Sequence, residues 1–304
     1  MKIAVIGPGS MGLLYGAKLS KAADVVLIGN NAENITLINK NGVTVKRGDT
    51  AENFKVPAYL SGEYAEKADL VILFTKGYIT EEALTQNKNI IGENTVILTL
   101  QNGAGHENIL RKFADDRHIL IGTTQQGSSR ENGYTVVNSG LGDTAFGSLS
   151  AEFKDADRYT AVFEKAGFHC AYSDDIYKMI WNKLMINASS SVLSGVLQVN
   201  QGYIAEYDDV WERCKKLISE ICDAAGANGY FFDKNKQYER IYNHLKNAPD
   251  GYTSIYFDLK CGRKTEVDSI SGAVVRAADE KGLKLPNQEA IVKRVHLLEG
   301  GADL

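Results

Sequence analysis

Short apolar runs bounded by glycines or polar turns recur through the first half of the chain. Several are continuous rather than alternating in polarity, as strands buried on both faces of a sheet require. These runs lie at residues 2–6, 24–28, 69–75, 95–100 and 118–122. Further strands are expected within 42–60 and at 167–172, and strands at 134–137 and 144–147 are expected as antiparallel additions. Helices are expected at 13–21 and 156–166. The pattern predicts an α/β domain.

After residue 172 the strand pattern stops and apolar positions recur at helical spacing. Helices are predicted at residues 174–198, 208–227, 233–245, 269–281 and 286–299. Gly226 and Gly282 suit helix ends, and Pro286 suits a first helical turn. We therefore expect an α/β domain at 1–173 and an all-α domain at 174–304, with a substrate cleft between them.

The predicted helix around residues 179–202 carries a polar stripe on an otherwise apolar surface. Lys183, Asn187 and Ser191 stand at i, i+4 and i+8, so an α-helix aligns them on one face. One interpretation is a solvated face whose lysine extends to water. The other is a lysine held among apolar side chains because a reaction needs it. The helix alone leaves both interpretations open.

Composition narrows the classes of protein to which the chain can belong. Its 304 residues suffice for two cores, and 44% apolar with 24% charged residues is typical of globular proteins. The net charge is −4 and the basic residues are scattered, which argues against nucleic acid or a membrane surface as partner. No apolar run approaches a membrane span, and the first residues do not resemble a signal peptide. We expect a cytoplasmic protein.

Cysteine and histidine spacing indicates neither a metal site nor a disulfide framework. The four cysteines form no C-x-x-C pair, and the five histidines are not clustered. We therefore expect reduced thiols, no metal, and neither cysteine catalysis nor a Ser-His-Asp arrangement.

A glycine-rich segment directly follows the first predicted strand and opens the first predicted helix. It has the form G-x-G-x-x-G, and its residues are Gly7, Pro8, Gly9, Ser10, Met11 and Gly12. The first glycine permits a tight turn, the second lets the backbone approach a pyrophosphate, and the third allows close packing of helix on strand. The helix N-terminus favours the phosphate charge. This context favours a dinucleotide site over a glycine turn without a ligand.

Polar residues follow three other predicted strands. Asn30 and Asn31 stand where an acid would bind free ribose hydroxyls or an arginine would accept a 2′-phosphate. Neither type is present, so this position predicts no choice of cofactor and is consistent with a plain turn. Lys76 and Asn102 lie just past two later strands and should share the edge of the glycine loop, although a plain loop role is open for each.

Two segments of the second half could line the expected cleft. The first, NAPDGYTSIYF, brings Ser254 from a loop into a helix start. The second, RKTEVD at 263–268, leads into a predicted helix. Thr265 or Asp268 as helix cap, with Glu266 as a solvated acid of the first turn, is the plain structural interpretation.

Taken in order, these motifs resemble those of the ketopantoate reductase, or 2-dehydropantoate 2-reductase, family. The likeness runs the whole length and rests on the glycine loop, Lys76, QNGAG at 101–105, WNK at 181–183 and RKTEVD at 263–268. The glycine loop is common to many dehydrogenases, whereas the helical K-x-x-x-N and the late T-E-x-D are together more specific. The resemblance implies a Rossmann-type NADP-binding domain, an all-α domain, and NADPH-dependent reduction of 2-dehydropantoate to (R)-pantoate in pantothenate and coenzyme A biosynthesis.

The same resemblance implies roles for individual residues. Lys183 corresponds to the family's catalytic lysine, and Glu266 to an acid near that lysine and the nicotinamide ribose. Further cofactor contacts are implied for the glycine loop, Lys76, Asn102 and Ser128, and substrate contacts for Lys183, Asn187, Ser191, Gln201 and Ser254. Hydride would pass from NADPH to the C2 carbonyl of the substrate, while Lys183 stabilises the charge growing on oxygen and supplies the proton.

The chain departs from the family pattern at three places. Ser191 stands where the family often has a second asparagine, and its hydroxyl has a shorter reach. Another substrate asparagine usually falls near Asn200-Gln201, and an arginine is common at the position of Asn30. A related enzyme for another 2-keto acid therefore stays open. So does a non-catalytic dinucleotide sensor, although the retained lysine and acid argue against it, and the sequence also leaves a homodimer open.

Overall fold

The computed structural model describes residues 1–300, and residues 301–304 of the predicted all-α domain lie outside the described part. The chain forms two compact units. The first comprises Met1–Gln101 and His106–Ile176, and the second comprises Asn102–Gly105 and, within the described residues, 177–300. The inclusion of Asn102–Gly105 in the second unit was not expected from the sequence. The functional boundary between 173 and 174 stays a prediction.

Twelve strands form two sheets in the first unit. They are β1 (Lys2–Ile6), β2 (Asp24–Gly29), β3 (Val43–Arg47), β4 (Thr50–Phe54), β5 (Ala58–Leu60), β6 (Leu70–Leu73), β7 (Val96–Thr99), β8 (Ile119–Thr124), β9 (Gly127–Arg130), β10 (Thr135–Gly140), β11 (Thr144–Ser148) and β12 (Cys170–Tyr172). The larger sheet has the order β12-β11-β8-β7-β6-β1-β2-β5. Its central strands pair in parallel, with β1 between β2 and β6. The strand order reverses at β1, which is where α/β sheets bind ligands.

The predicted Rossmann-type architecture is confirmed, with one difference in strand pairing. The strand expected at 144–147 is β11, and it pairs antiparallel to β8 as predicted. The strand expected at 134–137 is β10, which belongs instead to a four-stranded sheet of order β4-β3-β10-β9. There it pairs parallel to β3 and antiparallel to β9, a strand that the sequence pattern did not predict. Local polarity does not encode a partner about ninety residues away.

The helices of the first unit cover the larger sheet and carry much of its core. They are α1 (Ser10–Leu19), α2 (Ala32–Asn41), α3 (Thr80–Gln86), α4 (Glu107–Leu110) and α5 (Ala156–Lys165), with 3₁₀ turns at Gly77–Ile79, Lys88–Ile90 and Asp116–His118. Tyr15 of α1 stacks on Phe168 with ring centroids 4.2 Å apart. Its buried hydroxyl lies 2.7 Å from the Thr124 hydroxyl and 2.6 Å from that of Thr144. This pairing fixes α1, and with it the glycine loop, on the sheet.

The regular elements of the second unit are all helices within its described part, as predicted. Its helices are α6 (Ile176–Ile186, whose first residue belongs to the first unit), α7 (Val192–Leu197), α8 (Gln201–Glu206), α9 (Asp208–Ala227), α10 (Lys234–Asn247), α11 (Ser254–Lys260), α12 (Ser271–Asp279) and α13 (Pro286–Glu299). A π-helical segment, Asn187–Ser191, joins α6 to α7. Within residues 1–300, none of the helices has both the length and the apolar character needed to cross a membrane.

Candidate active site

Two glycines shape the loop between β1 and α1. Gly7 has φ +95°, and a Cβ there would lie 2.7 Å from the backbone nitrogen of Thr75. A Cβ on Gly12 would lie 2.0 Å from the Gly7 carbonyl oxygen, so only glycine allows this packing. Gly9 differs, because a Cβ on it would meet no atom within 4 Å. The loop is closed towards the protein and open at Gly9, as a backbone cradle for a phosphate requires.

The other residues of this segment have separate surroundings. Pro8 lies beside Gly29 at the end of β2, where a Cβ would come 2.7 Å from the proline ring. Met11 packs at the border of the core. Ser128 on β9 donates a hydrogen bond from its hydroxyl to the carbonyl oxygen of Ser10 at 3.2 Å. The structure therefore brings Ser128 to the glycine loop, and no side chain caps the start of α1.

A buried amide holds the connection that carries Lys76. Gln101 donates from Nε2 to the carbonyl oxygen of Thr75 at 2.6 Å and to the Thr80 hydroxyl at 2.7 Å. The Thr80 hydroxyl in turn donates to the carbonyl oxygen of Lys76 at 3.4 Å. Because Thr75 packs on the glycine loop, this network places Lys76 beside that loop. The role of Gln101 was missed in the sequence, since its partners lie 26 and 21 residues away.

The two asparagines after β2 have different roles. Asn31 caps α2, because its side-chain oxygen accepts a hydrogen bond from the backbone nitrogen of Asn34 at 2.8 Å. Asn30 is exposed just past the strand end. Asn31 is thus a structural residue, and Asn30 is the position at which a charged side chain would influence the adenosine end of a dinucleotide.

Lys183 lies on α6, partly buried, and interacts electrostatically with Glu266. Burial lowers the pKa of its ammonium group from 10.5 to about 8, while the negative charge of Glu266 acts in the opposite direction. The interpretation of Lys183 as a residue of a solvated face is therefore wrong. An ammonium group with a pKa near neutrality can give up a proton in a reaction at physiological pH.

The polar stripe expected on one regular α-helix is interrupted. The π segment starts at Asn187, one turn beyond Lys183, and ends at Ser191. A π-turn holds more residues than an α-turn because its hydrogen bonds run from i to i+5. The prediction of an even stripe is therefore wrong beyond Asn187. Ser191 is buried, and its carbonyl oxygen accepts a hydrogen bond from the Thr253 hydroxyl at 3.1 Å.

Glu266 lies in the turn at 264–270, which precedes α12, and is only 8% exposed. The interpretation of Glu266 as a solvated first-turn acid is therefore wrong. The helix caps of that interpretation, Thr265 or Asp268, are also wrong, since Ile270 directly precedes the first residue of α12. Thr265 instead donates from its backbone nitrogen and its hydroxyl to Glu299 Oε1, at 2.7 and 2.6 Å. The Thr265 hydroxyl, which the local pattern assigned to a helix cap, thus binds a residue distant in sequence, Glu299.

Asn102 and Ala104 are hydrogen-bonded to the turn that carries Glu266. The Ser269 hydroxyl donates to the carbonyl oxygen of Asn102 at 3.3 Å, and the backbone nitrogen of Ala104 donates to the carbonyl oxygen of Ser269 at 2.9 Å. Gly103 between them has φ +102°, and a Cβ there would lie 2.0 Å from that Ser269 oxygen. The structure thus joins Asn102 to the turn that carries Glu266.

The remaining predicted substrate residues lie around the start of α11. Ser254 is exposed and follows the Thr253 that binds the π segment. Gln201 is linked to the preceding loop, because its backbone nitrogen donates to the carbonyl oxygen of Gly251 at 2.9 Å. Asn200 caps α8 by accepting from the backbone nitrogen of Tyr203 at 3.0 Å. The second unit therefore links the loops of Gln201 and Ser254 to the π segment.

Two family models match successive parts of the chain. The model described as "Ketopantoate reductase PanE/ApbA" matches residues 3–151. The model described as "Ketopantoate reductase PanE/ApbA C terminal" matches residues 175–299. The matches fall on the α/β part and the helical part, so the likeness covers both sets of candidate residues.

Curated relatives and a solved structure agree with these matches. A 2-dehydropantoate 2-reductase from Streptococcus pyogenes is 30% identical over 302 residues, which is 98% of each chain. One from Pyrococcus abyssi is 30% identical over 304 residues, which is 99% of each chain. A ternary structure of D-mandelate dehydrogenase with NADH and anilino(oxo)acetate has a TM-score of 0.94 and 27% identity, with full coverage of both chains.

Proposed function

The chain belongs to the ketopantoate reductase family of oxidoreductases, and from this premise we propose that it reduces 2-dehydropantoate to (R)-pantoate with NADPH. The observation that carries the proposal is the pair formed by Lys183 and Glu266. A partly buried lysine whose pKa is lowered to about 8, beside a buried carboxylate, suits proton donation to a reduced carbonyl. The expected place of reaction is the cytoplasm, in the pathway to pantothenate and coenzyme A.

The glycine loop fits the pyrophosphate of a nicotinamide dinucleotide. The space beyond Gly9, where a Cβ would meet no atom, is the room that a close-approaching phosphate needs. The residues that would hold the cofactor are Gly7, Pro8, Gly9, Ser10, Met11, Gly12, Lys76, Asn102, Ser128 and Glu266. The bound nicotinamide supplies the hydride that reduces the C2 carbonyl of the keto acid.

Lys183 has two tasks in this reaction. Its ammonium group stabilises the negative charge that develops on the carbonyl oxygen and then transfers a proton from Nζ to that oxygen. The carboxylate of Glu266 keeps the ammonium protonated and oriented against the effect of burial. Transition-state stabilisation of this kind needs fixed geometry, which the turn at 264–270 supplies.

The substrate is held by polar groups of the second unit. We assign this role to Lys183, Asn187, Ser191, Gln201 and Ser254. Asn187 lies one turn beyond the lysine and has both a donor and acceptor for the keto acid. Ser254 at the exposed start of α11 suits the carboxylate end. Fixing the keto acid at both ends limits it to orientations from which hydride transfer is productive.

Steady-state kinetics with ketopantoate, using NADPH and NADH in parallel, test this proposal. We expect turnover with ketopantoate and a higher kcat/KM with NADPH, and chiral chromatography should identify (R)-pantoate. The reaction without enzyme and the reaction with a simple 2-keto acid such as pyruvate serve as controls. Binding of NADPH without turnover of ketopantoate or any other 2-keto acid would contradict it and favour a sensor.

A second candidate is the reduction of a 2-keto acid with an aromatic side chain. On α11, Ser254 and Phe257 stand at i and i+3, so they share a face. Phe257 and Tyr252 are each 48% exposed, and their rings lie 6.0 Å apart. The structural likeness to D-mandelate dehydrogenase points the same way. A kcat/KM for benzoylformate above that for ketopantoate would establish this candidate over the first.

A further inference from the structure

The turn at 264–270 is anchored at Thr265. The backbone nitrogen and hydroxyl of Thr265 both donate to Glu299 Oε1 near the end of α13. The Thr265 hydroxyl also accepts from the backbone nitrogen of Val267 at 3.1 Å. Glu266 lies between these two residues, so the position of its backbone depends on the Glu299 carboxylate.

His296, one turn earlier on α13, joins this carboxylate to the far end of the turn. Its Nδ1 lies 2.9 Å from Glu299 Oε2, and its Nε2 lies 2.9 Å from Asp268 Oδ1. Carboxylate oxygens accept hydrogen bonds and cannot donate them when ionised. Both ring nitrogens must therefore carry a proton for both bonds to form, and only the imidazolium form has two N–H groups.

The charges around His296 favour that form. The hydrogen bond to Glu299 raises the pKa of His296 above 6.5, with Asp268 adding to the effect and partial burial opposing it. The groove between α12 and α13, about 550 Å³, is lined by His296 and also by Asp268, Arg276, Glu289 and Lys293. Arg276 donates from Nη2 to the carbonyl oxygen of Asp268 at 2.9 Å, which holds the same end of the turn.

We propose that His296 is a positioning residue whose imidazolium, bound to Glu299 and Asp268 at once, holds the turn that presents Glu266 to Lys183. The inference rests on the proposed function for the roles of Lys183 and Glu266. When the His296 imidazolium loses a proton, one ring nitrogen no longer carries the hydrogen that it donated to a carboxylate oxygen. One of the two hydrogen bonds is then lost. The turn then loosens and turnover falls. Proton donation by Lys183 thus depends on His296, a residue to which the proposed function assigns no contact with substrate or cofactor.

The ratio of kcat between the wild type and His296→Ala, measured across pH, tests this role. At about pH 6 the imidazolium is intact only in the wild type, and we expect a ratio of about ten. As pH rises through the pKa of His296, the wild type loses the same proton, so the ratio should fall towards one. Each kcat is first corrected for the Lys183 titration measured in the same protein, because a looser turn weakens the effect of Glu266 on the pKa of Lys183. A ratio that does not change with pH would overturn the proposal, because a merely structural role predicts that result.

Two further variants make the result specific. The ammonium group of His296→Lys has three donors and an ordinary lysine pKa of about 10.4. Its kcat should therefore match that of the wild type at about pH 6 and should not show the fall that follows loss of the His296 proton. Lys293→Ala removes a charge from the same groove without touching the turn, and its profile should match that of the wild type. Failure of His296→Lys to rescue a folded enzyme would contradict the proposal even if His296→Ala unfolds. Thermal unfolding checks the fold of each variant.

Amide hydrogen exchange of residues 264–270 gives a readout that needs no activity. After correction for intrinsic exchange, protection of the wild-type turn should fall as pH rises through the pKa of His296 and should be low throughout in His296→Ala. If the turn behaves this way but no 2-keto acid is reduced, the positioning role stands and the proposed function fails. Protection independent of both pH and His296 would overturn the positioning role alone.

Discussion

Lys183 carries the chemistry that we propose, and its protonation can be tested directly. Its pKa is lowered to about 8 by burial, so the proton-donating form predominates below that pH and is lost above it. We expect kcat to fall as pH rises through about 8. Replacement by alanine should lower kcat by about 10²- to 10⁴-fold and leave the Kd for NADPH little changed. Stopped-flow turnover and fluorescence titration of NADPH measure the two effects.

Lys183→Arg is the matched control. An arginine keeps a positive charge near the carbonyl oxygen but does not release its proton in this pH range. It should therefore retain part of the charge stabilisation while removing the fall in kcat near pH 8. A Lys183→Ala enzyme with nearly parental kcat would refute the assignment, whatever the arginine variant does.

Asn30 offers a second test at the level of one residue, because it is exposed and Asn31 carries the helix cap. Asn30→Arg adds a guanidinium for a 2′-phosphate, whereas Asn30→Asp adds a carboxylate for free ribose hydroxyls. We expect the ratio of kcat/KM for NADPH over NADH to rise about tenfold in the first and fall by a similar factor in the second. If the NADPH/NADH ratio of kcat/KM changes in the same direction in both variants, or in neither, then residue 30 does not contact the adenosine end of the cofactor.

At the level of secondary structure, substitutions in the loop that joins β1 to α1 should affect cofactor binding and stability separately. A Cβ on Gly9 would meet no protein atom, whereas a Cβ on Gly12 would lie 2.0 Å from a carbonyl oxygen. Gly9→Ala should therefore fold with an unchanged melting temperature but bind NADPH at least about tenfold more weakly. Gly12→Ala should lose about 1–3 kcal/mol of unfolding free energy from overpacking. Equal effects of the two substitutions on stability would contradict the assignment of Gly9 to the phosphate.

The elements that the sequence predicted are those whose signal is local. Continuous apolar runs identified β1, β2, β6, β7 and β8, and periodic apolar positions with suitable ends identified α9 and α13. The π segment Asn187–Ser191 was not predicted, because its serines fit a regular helix by spacing alone. The short strand β9 was missed because its residues are mostly small and polar, and its partner β10 supplies the pairing. Tertiary contacts decide these cases.

In the candidate site, too, residues marked by local motifs were predicted and long-range contacts were not. The glycine loop, Lys183 and Glu266 could be selected from motifs and family resemblance, because each sits in a recognisable run of residues. The amide of Gln101 and the bonds of Glu299 to Thr265 could not, since they join residues up to 34 positions apart. The bonds of Glu299 to Thr265 anchor the residue next to the buried Glu266. Local spacing left a solvated acid open because it contains no information on what covers the turn.

At the level of the whole molecule, cofactor binding should be visible as stability. A ligand that binds only the folded chain stabilises it by RT ln(1 + [L]/Kd), about 2.7 kcal/mol at a hundredfold excess over Kd. The proposed cofactor residues belong to both units, with the glycine loop in the first and Asn102 and Glu266 in the second. We therefore expect NADPH to raise the thermal unfolding of the whole chain, and to do so equally in Lys183→Ala.

Differential scanning calorimetry with and without NADPH measures this effect, with Gly9→Ala as the control in which the shift should be much smaller. Multidomain chains can unfold in separate steps, and calorimetry then resolves a transition for each unit. If NADPH shifts only the transition of the first unit, Asn102 and Glu266 do not contribute to its binding, and Glu266 acts through Lys183 alone. A shift of both transitions, or of one shared transition, supports cofactor contacts from both units. A loss of the shift in Lys183→Ala would instead make the lysine a cofactor-binding residue, contrary to the role proposed for it.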